Sequence, residues 1–125
     1  MEFKSNTPIY LQVIEDIKSK IIVGEIKPGE KLPSSRELAV MYDINPNTAA
    51  RIYTEMERVG ISYTKRGIGT FVTDDKKVFD EMKTQIISGI VYKFVDDMRS
   101  MGYDDKSMEV ELKKYLTKEN LGKGK

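Results

Sequence analysis

The chain has 125 residues, 21 Lys and Arg against 20 Asp and Glu, and neither cysteine nor histidine. The missing cysteines exclude disulfides and thiolate chemistry, and the missing histidines remove the commonest general base and metal ligand, so no catalytic, metal or cofactor site is expected. A formal charge of +1 is far from the strongly basic profile of a nucleic-acid binder, so a case for DNA must rest on motif geometry.

No run of about 18 apolar residues could span a bilayer. The polar start Met1-Glu2-Phe3-Lys4 lacks the apolar stretch of a signal peptide, so a cytoplasmic protein without a membrane partner is expected. The length suits one small domain with an appendage. A charged linker, Thr73-Asp74-Asp75-Lys76-Lys77, divides residues 1–75 from residues 76–125.

Thr7-Pro8 predicts a cap and a proline at the first helical position, followed by Tyr10, Val13, Ile14, Ile17 and Ile21 at helical spacing, with Gly24 as the stop. Lys27-Pro28-Gly29-Glu30 has proline and glycine where a type II turn prefers them, and Lys31-Leu32 reads as a very short strand. Ser34, with Glu37 three residues later, forms a capping box for a helix over residues 35–41 that buries Leu38, Ala39 and Met41. Tyr42-Asp43-Ile44 makes a turn. Asn45 caps a third helix over residues 46–59, Pro46 opens it, and Gly60 stops it. Its buried face is expected to hold Ala49, Ala50, Ile52, Tyr53, Met56 and Val59. Residues 61–63 and 70–72 flank Lys65-Arg66-Gly67 as the two strands of a hairpin. Helix, tight turn, helix and hairpin are the plan of a winged helix-turn-helix. The fold class is therefore mostly α with a small β-hairpin, continued by a C-terminal two-helix region.

Beyond the linker, Phe79, Met82, Ile86, Ile90, Phe94 and Met98 recur every three or four residues over 78–101, about 24 residues or roughly 36 Å of helix. Gly102-Tyr103-Asp104-Asp105 breaks it, with Asp104 or Asp105 capping a shorter helix over 106–117. The tail Gly122-Lys123-Gly124-Lys125 should fray. A long apolar stripe on an appendage needs a partner, and a two-fold dimer pairing these six residues supplies one.

Residues 8–72 resemble the DNA-binding domain of GntR-type bacterial transcription regulators. The matching pieces are Pro8-Ile9-Tyr10, Gly24 with Pro28-Gly29, Leu32-Pro33-Ser34-Ser35-Arg36-Glu37-Leu38-Ala39, Asn45-Pro46-Asn47-Thr48 and Gly67-Ile68-Gly69-Thr70-Phe71-Val72. Asn45-Pro46-Asn47-Thr48 with Arg51 and Tyr53, and the brevity of the C-terminal part, look like the YtrA subfamily. Relatives outside that subfamily carry arginines where this chain has Pro46 and Ala50, so contacts made by those arginines do not transfer. The resemblance implies a homodimeric repressor on double-stranded DNA with an inverted-repeat operator. It leaves open a small-molecule effector, for which two short helices offer little enclosure.

Each candidate contact also has a physical reading. Ser34, Ser35 and Arg36 stand at a helix N-terminus, where free N–H groups and the dipole favour a phosphate; the plainer readings are a cap for Ser34 and an ion pair with Glu37 for Arg36. Asn47, Thr48 and Arg51 share one helix face, suited to adenine, a phosphate or thymine methyl, and guanine respectively. Lys65, Arg66 and Gly67 form the tip of the wing, suited to the minor groove or its phosphates. The Gly67–Gly69 pair lacks the third glycine and the strand-then-helix setting of a nucleotide loop. The rival reading is a winged-helix protein-interaction module without DNA binding, favoured only by the near-neutral charge.

Overall fold

In a computed structural model, residues 1–117 are described; the tail 122–125 lies outside the described residues. The chain forms two compact units, Met1–Thr84 and Gln85–Lys125, so the division falls inside a helix and not at the charged linker. Among the described residues, no helix is long and apolar enough to cross a membrane.

The first unit begins with α1 (Ile9–Ile22), whose stripe of Val13, Ile14, Ile17 and Ile21 is buried. Pro8 takes the N-cap position without a side-chain cap, so Thr7 does not have the role its sequence suggests. Instead the Gln12 side chain donates Nε2 to the carbonyls of Lys4 and Thr7, both at 2.8 Å, and stitches the leading segment to the helix. The expected type II turn is present: Glu30 N–H donates to Lys27 O at 3.0 Å, and Gly29 has φ +77°.

Helix α2 (Ser35–Tyr42) carries the full capping box, with Glu37 N–H donating to Ser34 Oγ at 3.1 Å and Ser34 N–H to Glu37 Oε1 at 2.8 Å. It buries Leu38, Ala39 and Tyr42, while Met41 is 60 % exposed. That reverses the expectation for the last turn. Tyr42 lies four residues after Leu38, hence on the same stripe, and its hydroxyl donates to Asp16 Oδ2 of α1 at 2.7 Å. Asp43, at φ 55°, then ends the helix in the left-handed region.

Helix α3 (Pro46–Arg58) is capped by Asn45, whose Oδ1 accepts from Asn47 N–H at 2.7 Å. Ala49, Ile52, Tyr53 and Met56 face the core. Ala50 and Val59, expected inside, are exposed: Ala50 is rotated past the stripe, and Val59 is already the C-cap. Strands β1 (Ser62–Lys65) and β2 (Gly69–Val72) pair antiparallel with Tyr63 opposite Phe71 and Lys65 opposite Gly69. Ile68 N–H donates to Lys65 O at 2.9 Å, closing the tip around Gly67 at φ +77°.

Helix α4 (Lys76–Ser100) corrects one expectation about its stripe. Met82 is 5 % exposed and belongs to the first unit's core, and Val78 and Phe79 pack against that core. Phe79 and Met82, two of the six residues assigned to pairing with a second copy, thus close the winged domain instead. In the second unit, Gly102 at φ +88° ends α4, with Tyr103 N–H donating to Met98 O at 3.1 Å. Helix α5 (Asp105–Leu116) starts from Asp104, which forms a capping box with Ser107. The Ser107 backbone N–H holds the Asp104 carboxyl below the usual carboxylate range, helped by the Ser107 hydroxyl. Arg99 and Asp105 bridge the two helices at 2.8 Å.

Candidate nucleic-acid interface

The segment from Glu30 to Ser34 is the hub of this surface, because the wing and α3 both fasten to it. Val72 N–H donates to Glu30 O at 2.9 Å, Leu32 N–H donates to Thr70 O at 2.7 Å, and Lys31 bridges Phe71. The short strand expected at Lys31-Leu32 is therefore a third, one-bridge edge on the wing. From the other side, the Tyr53 hydroxyl of α3 donates to Pro33 O at 2.5 Å. One residue later Ser34 begins the cap of α2. Backbone hydrogen bonds and one phenol thereby hold the start of α2 against both α3 and the hairpin.

The Tyr53 ring is buried, and burial pushes its phenol well above the ordinary tyrosine value. It is a strut between elements, as its core position suggests, and its hydroxyl is taken. Tyr42 is pushed up likewise, first by burial and then by its hydrogen bond to Asp16. Lys20 Nζ, on the same helix as Asp16, reaches that carboxylate at 3.3 Å and donates to the Tyr42 hydroxyl at 3.4 Å, so the three groups together tie α1 to α2.

The residues singled out for DNA contact all remain accessible. Ser34, Arg36, Asn47, Arg51, Lys65, Arg66 and Gly67 are exposed, and Ser35 and Thr48 are half-buried. Ser34 Oγ acts as an acceptor in the cap, which leaves its own hydrogen to donate. Glu37 is occupied by the capping box, and Arg36 forms no ion pair with it. Lys65 Nζ sits 5.0 Å from the Phe71 ring centroid and 5.9 Å from that of Tyr63, above two rings stacked at 5.8 Å.

Charge is distributed more informatively than its total suggests. Among the described residues, the ion-paired cations are Lys18, Lys20, Arg58, Lys76, Lys93, Arg99 and Lys114. Arg36, Arg51, Lys65 and Arg66 are absent from that set. Apart from Arg58, which pairs with Glu55 at the far end of α3, the cations of the helix-turn-helix and wing have no carboxylate partner, while much of the balancing acid is spent on caps and surface pairs. Other lysines, among them Lys4, Lys83 and Lys106, are also outside the ion-paired set, so what sets these four apart is their place on α2, α3 and the wing, where they are open to an anionic ligand.

Two further residues join this surface that the sequence did not mark. Lys31 lays its chain across the wing: a Cβ built on Gly69 would stand 2.6 Å from Lys31 Cε. Tyr10, expected simply as part of the apolar stripe of α1, lies beneath Arg51, whose Cζ is 3.8 Å from the ring centroid. Neither contact has a local signature, since each joins segments far apart in the chain.

The model of the bacterial regulatory proteins of the gntR family matches residues 9–72. The chain belongs to the GntR family. Its relatives include the uncharacterised helix-turn-helix regulator YhcF of Bacillus subtilis, 41 % identical over 107 residues, covering 86 % of this chain and 88 % of that one. The repressor YtrA of the same organism is 39 % identical over 111 residues, covering 89 % and 81 %. Among solved structures, a GntR family regulator from Listeria monocytogenes superposes with a TM-score of 0.82 at 34 % identity over 90 % of this chain and 98 % of that one. The DNA-binding domain of AraR, solved in complex with its operator ORR3, matches at TM-score 0.52 and 32 % identity over 58 % and 88 %. The GntR assignment makes this a helix-turn-helix transcription regulator of a DNA-binding family.

Proposed function

We propose that the protein is a homodimeric, cytoplasmic repressor that binds an inverted-repeat operator in double-stranded DNA. In this reading α3 enters the major groove, with Arg51 reading guanine, Asn47 adenine, and Thr48 a phosphate or thymine methyl. Ser34, Ser35 and Arg36 anchor a phosphate at the start of α2. Lys65, Arg66 and Gly67 take the wing to the minor groove. The observation that carries the proposal is the set of cations on α2, α3 and the wing that lack carboxylate partners. YtrA's description as a repressor and AraR's operator complex lend support.

So few cations per subunit bind DNA weakly, and two copies are needed for operator affinity. Support for pairing comes from the second unit, where Ile90 is 62 % exposed and Phe94 37 % exposed on the α4 stripe that also carries Ile86 and Met98. With Phe79 and Met82 occupied, these four residues are the proposed dimer contacts. Ile90 and Phe94 also line an apolar groove with Met108 and Leu112, which would be the place for a small-molecule effector that acts on pairing.

The test is selection from a pool of duplexes with a randomised centre, followed by titration of the selected duplex across salt. The expected result is an inverted repeat whose half-sites lie one helical turn or a multiple apart, about 34–36 Å per turn. Three phosphate contacts per subunit give a slope of log K on log salt near −5. Phe94→Glu should yield a monomer by light scattering. No enrichment and no binding at low salt would favour a protein-interaction module instead.

A further inference from the structure

We propose that Tyr10 is a specificity-determining positioning residue, acting by holding the Arg51 guanidinium ready for base readout. The proposal rests on the reading of Arg51 as the guanine contact. It starts from one distance: Arg51 Cζ lies 3.8 Å from the Tyr10 ring centroid. That is the spacing of two planar groups in face contact, well inside the reach of a cation–π interaction. Stacking uses the face of the guanidinium and leaves its in-plane N–H groups free. Among the described residues, Arg51 makes no hydrogen bond or ion pair that would occupy them.

The platform beneath is stiff. Tyr10 is the second residue of α1, half-buried, and packs against the core a turn before Val13 and Ile14, both buried. An arginine on a bare helix face samples many rotamers and must lose that freedom on binding. Here α1 restricts Arg51 before DNA arrives. The stack sets the direction of the donor edge and makes base preference at one position depend on a residue of a helix outside the helix-turn-helix.

The experiment applies the same randomised-duplex selection to the parent, Arg51→Ala, Tyr10→Phe, Tyr10→Leu and Tyr10→Met. Arg51→Ala identifies the base pair whose preference is lost. The specificity ratio is then the Kd for a duplex altered at that pair in both half-sites divided by the Kd for the selected duplex. Tyr10→Phe should keep the ratio, because the ring remains. Tyr10→Leu and Tyr10→Met should lower it about two- to fivefold per half-site, the range of an exposed cation–π contact. Binding to the altered duplex and the salt slope should stay unchanged, and adding Tyr10→Leu to Arg51→Ala should cost nothing further. In the free protein, the ring-current shift on the Arg51 side-chain protons should be present with Tyr or Phe and absent with Leu or Met. An unchanged ratio in the Leu and Met variants overturns the proposal, as does an equal loss on both duplexes, which would mark Tyr10 as a backbone contact or fold support. If Arg51→Ala keeps every base preference, the prior reading of Arg51 fails and takes the proposal with it.

Discussion

Tyr53→Phe deletes a single oxygen, and the structure sets the size of the consequence. The ring is 7 % exposed and keeps its packing in the variant, so no cavity forms beyond the hydroxyl itself. What disappears is the 2.5 Å hydrogen bond to Pro33 O. A hydrogen bond contributes about 1 kcal/mol net, and a buried acceptor left alone costs about 1–3 kcal/mol. Pro33 is half-buried, so water reaches its carbonyl in part, and a loss of about 1–2 kcal/mol is expected. At a urea m-value of roughly 1–2 kcal/mol/M, the unfolding midpoint by circular dichroism should fall by about 1 M with m unchanged. The pH dependence gives an independent check. Because the folded state holds the Tyr53 proton more tightly than the unfolded chain, its contribution is complete below the ordinary phenol value of about 10 and is lost as pH rises above it. Tyr42 behaves likewise, so the parent should lose stability above pH 10 more steeply than Tyr53→Phe, and the gap between them should narrow. An unchanged midpoint, or identical slopes above pH 10, would refute the strut.

Other substitutions separate frame from contact. Ser34→Gly retains a tolerated N-cap at a cost of a few tenths of a kcal/mol but removes the hydroxyl, so DNA affinity should fall with little change in melting; equal affinity would reduce Ser34 to a cap. Lys65→Ala should weaken binding to all duplexes alike and, because both subunits of the dimer lose a contact, make the salt slope about two units shallower, measured by anisotropy; a loss confined to one sequence would contradict a phosphate role. Met56→Ala, at a position with no exposure, should cost about 2–5 kcal/mol by urea unfolding; a smaller loss would mean that the surrounding side chains collapse into the space.

The helix starts of the first unit were largely legible because their causes are local. Ser34 with Glu37, and Asn45 with Pro46, each meet their backbone partner within three residues. Gly29 and Gly67 mark turns whose positive φ favours glycine. Errors cluster at the last turn of α2, where Met41 and Tyr42 exchange places because a hydroxyl finds Asp16 on α1, and at the start of α4, where Phe79 and Met82 turn inward. Hydrophobic spacing identified a stripe on α4 but could not say which stretch of it meets which surface.

The same division runs through the candidate site. Which residues stand on the exposed face of α3, at the start of α2 and at the tip of the wing follows from helical period and turn chemistry over a few residues. How those three pieces are held together does not, since Tyr53 to Pro33, Leu32 to Thr70 and Arg51 to Tyr10 join positions 20 to 41 residues apart. A near-neutral composition likewise conceals which cations lack a carboxylate partner. Short-range rules place caps, turns and periods because the interacting atoms are bonded neighbours. The long-range contacts depend on how the chain packs, and that is where the tertiary structure had to decide.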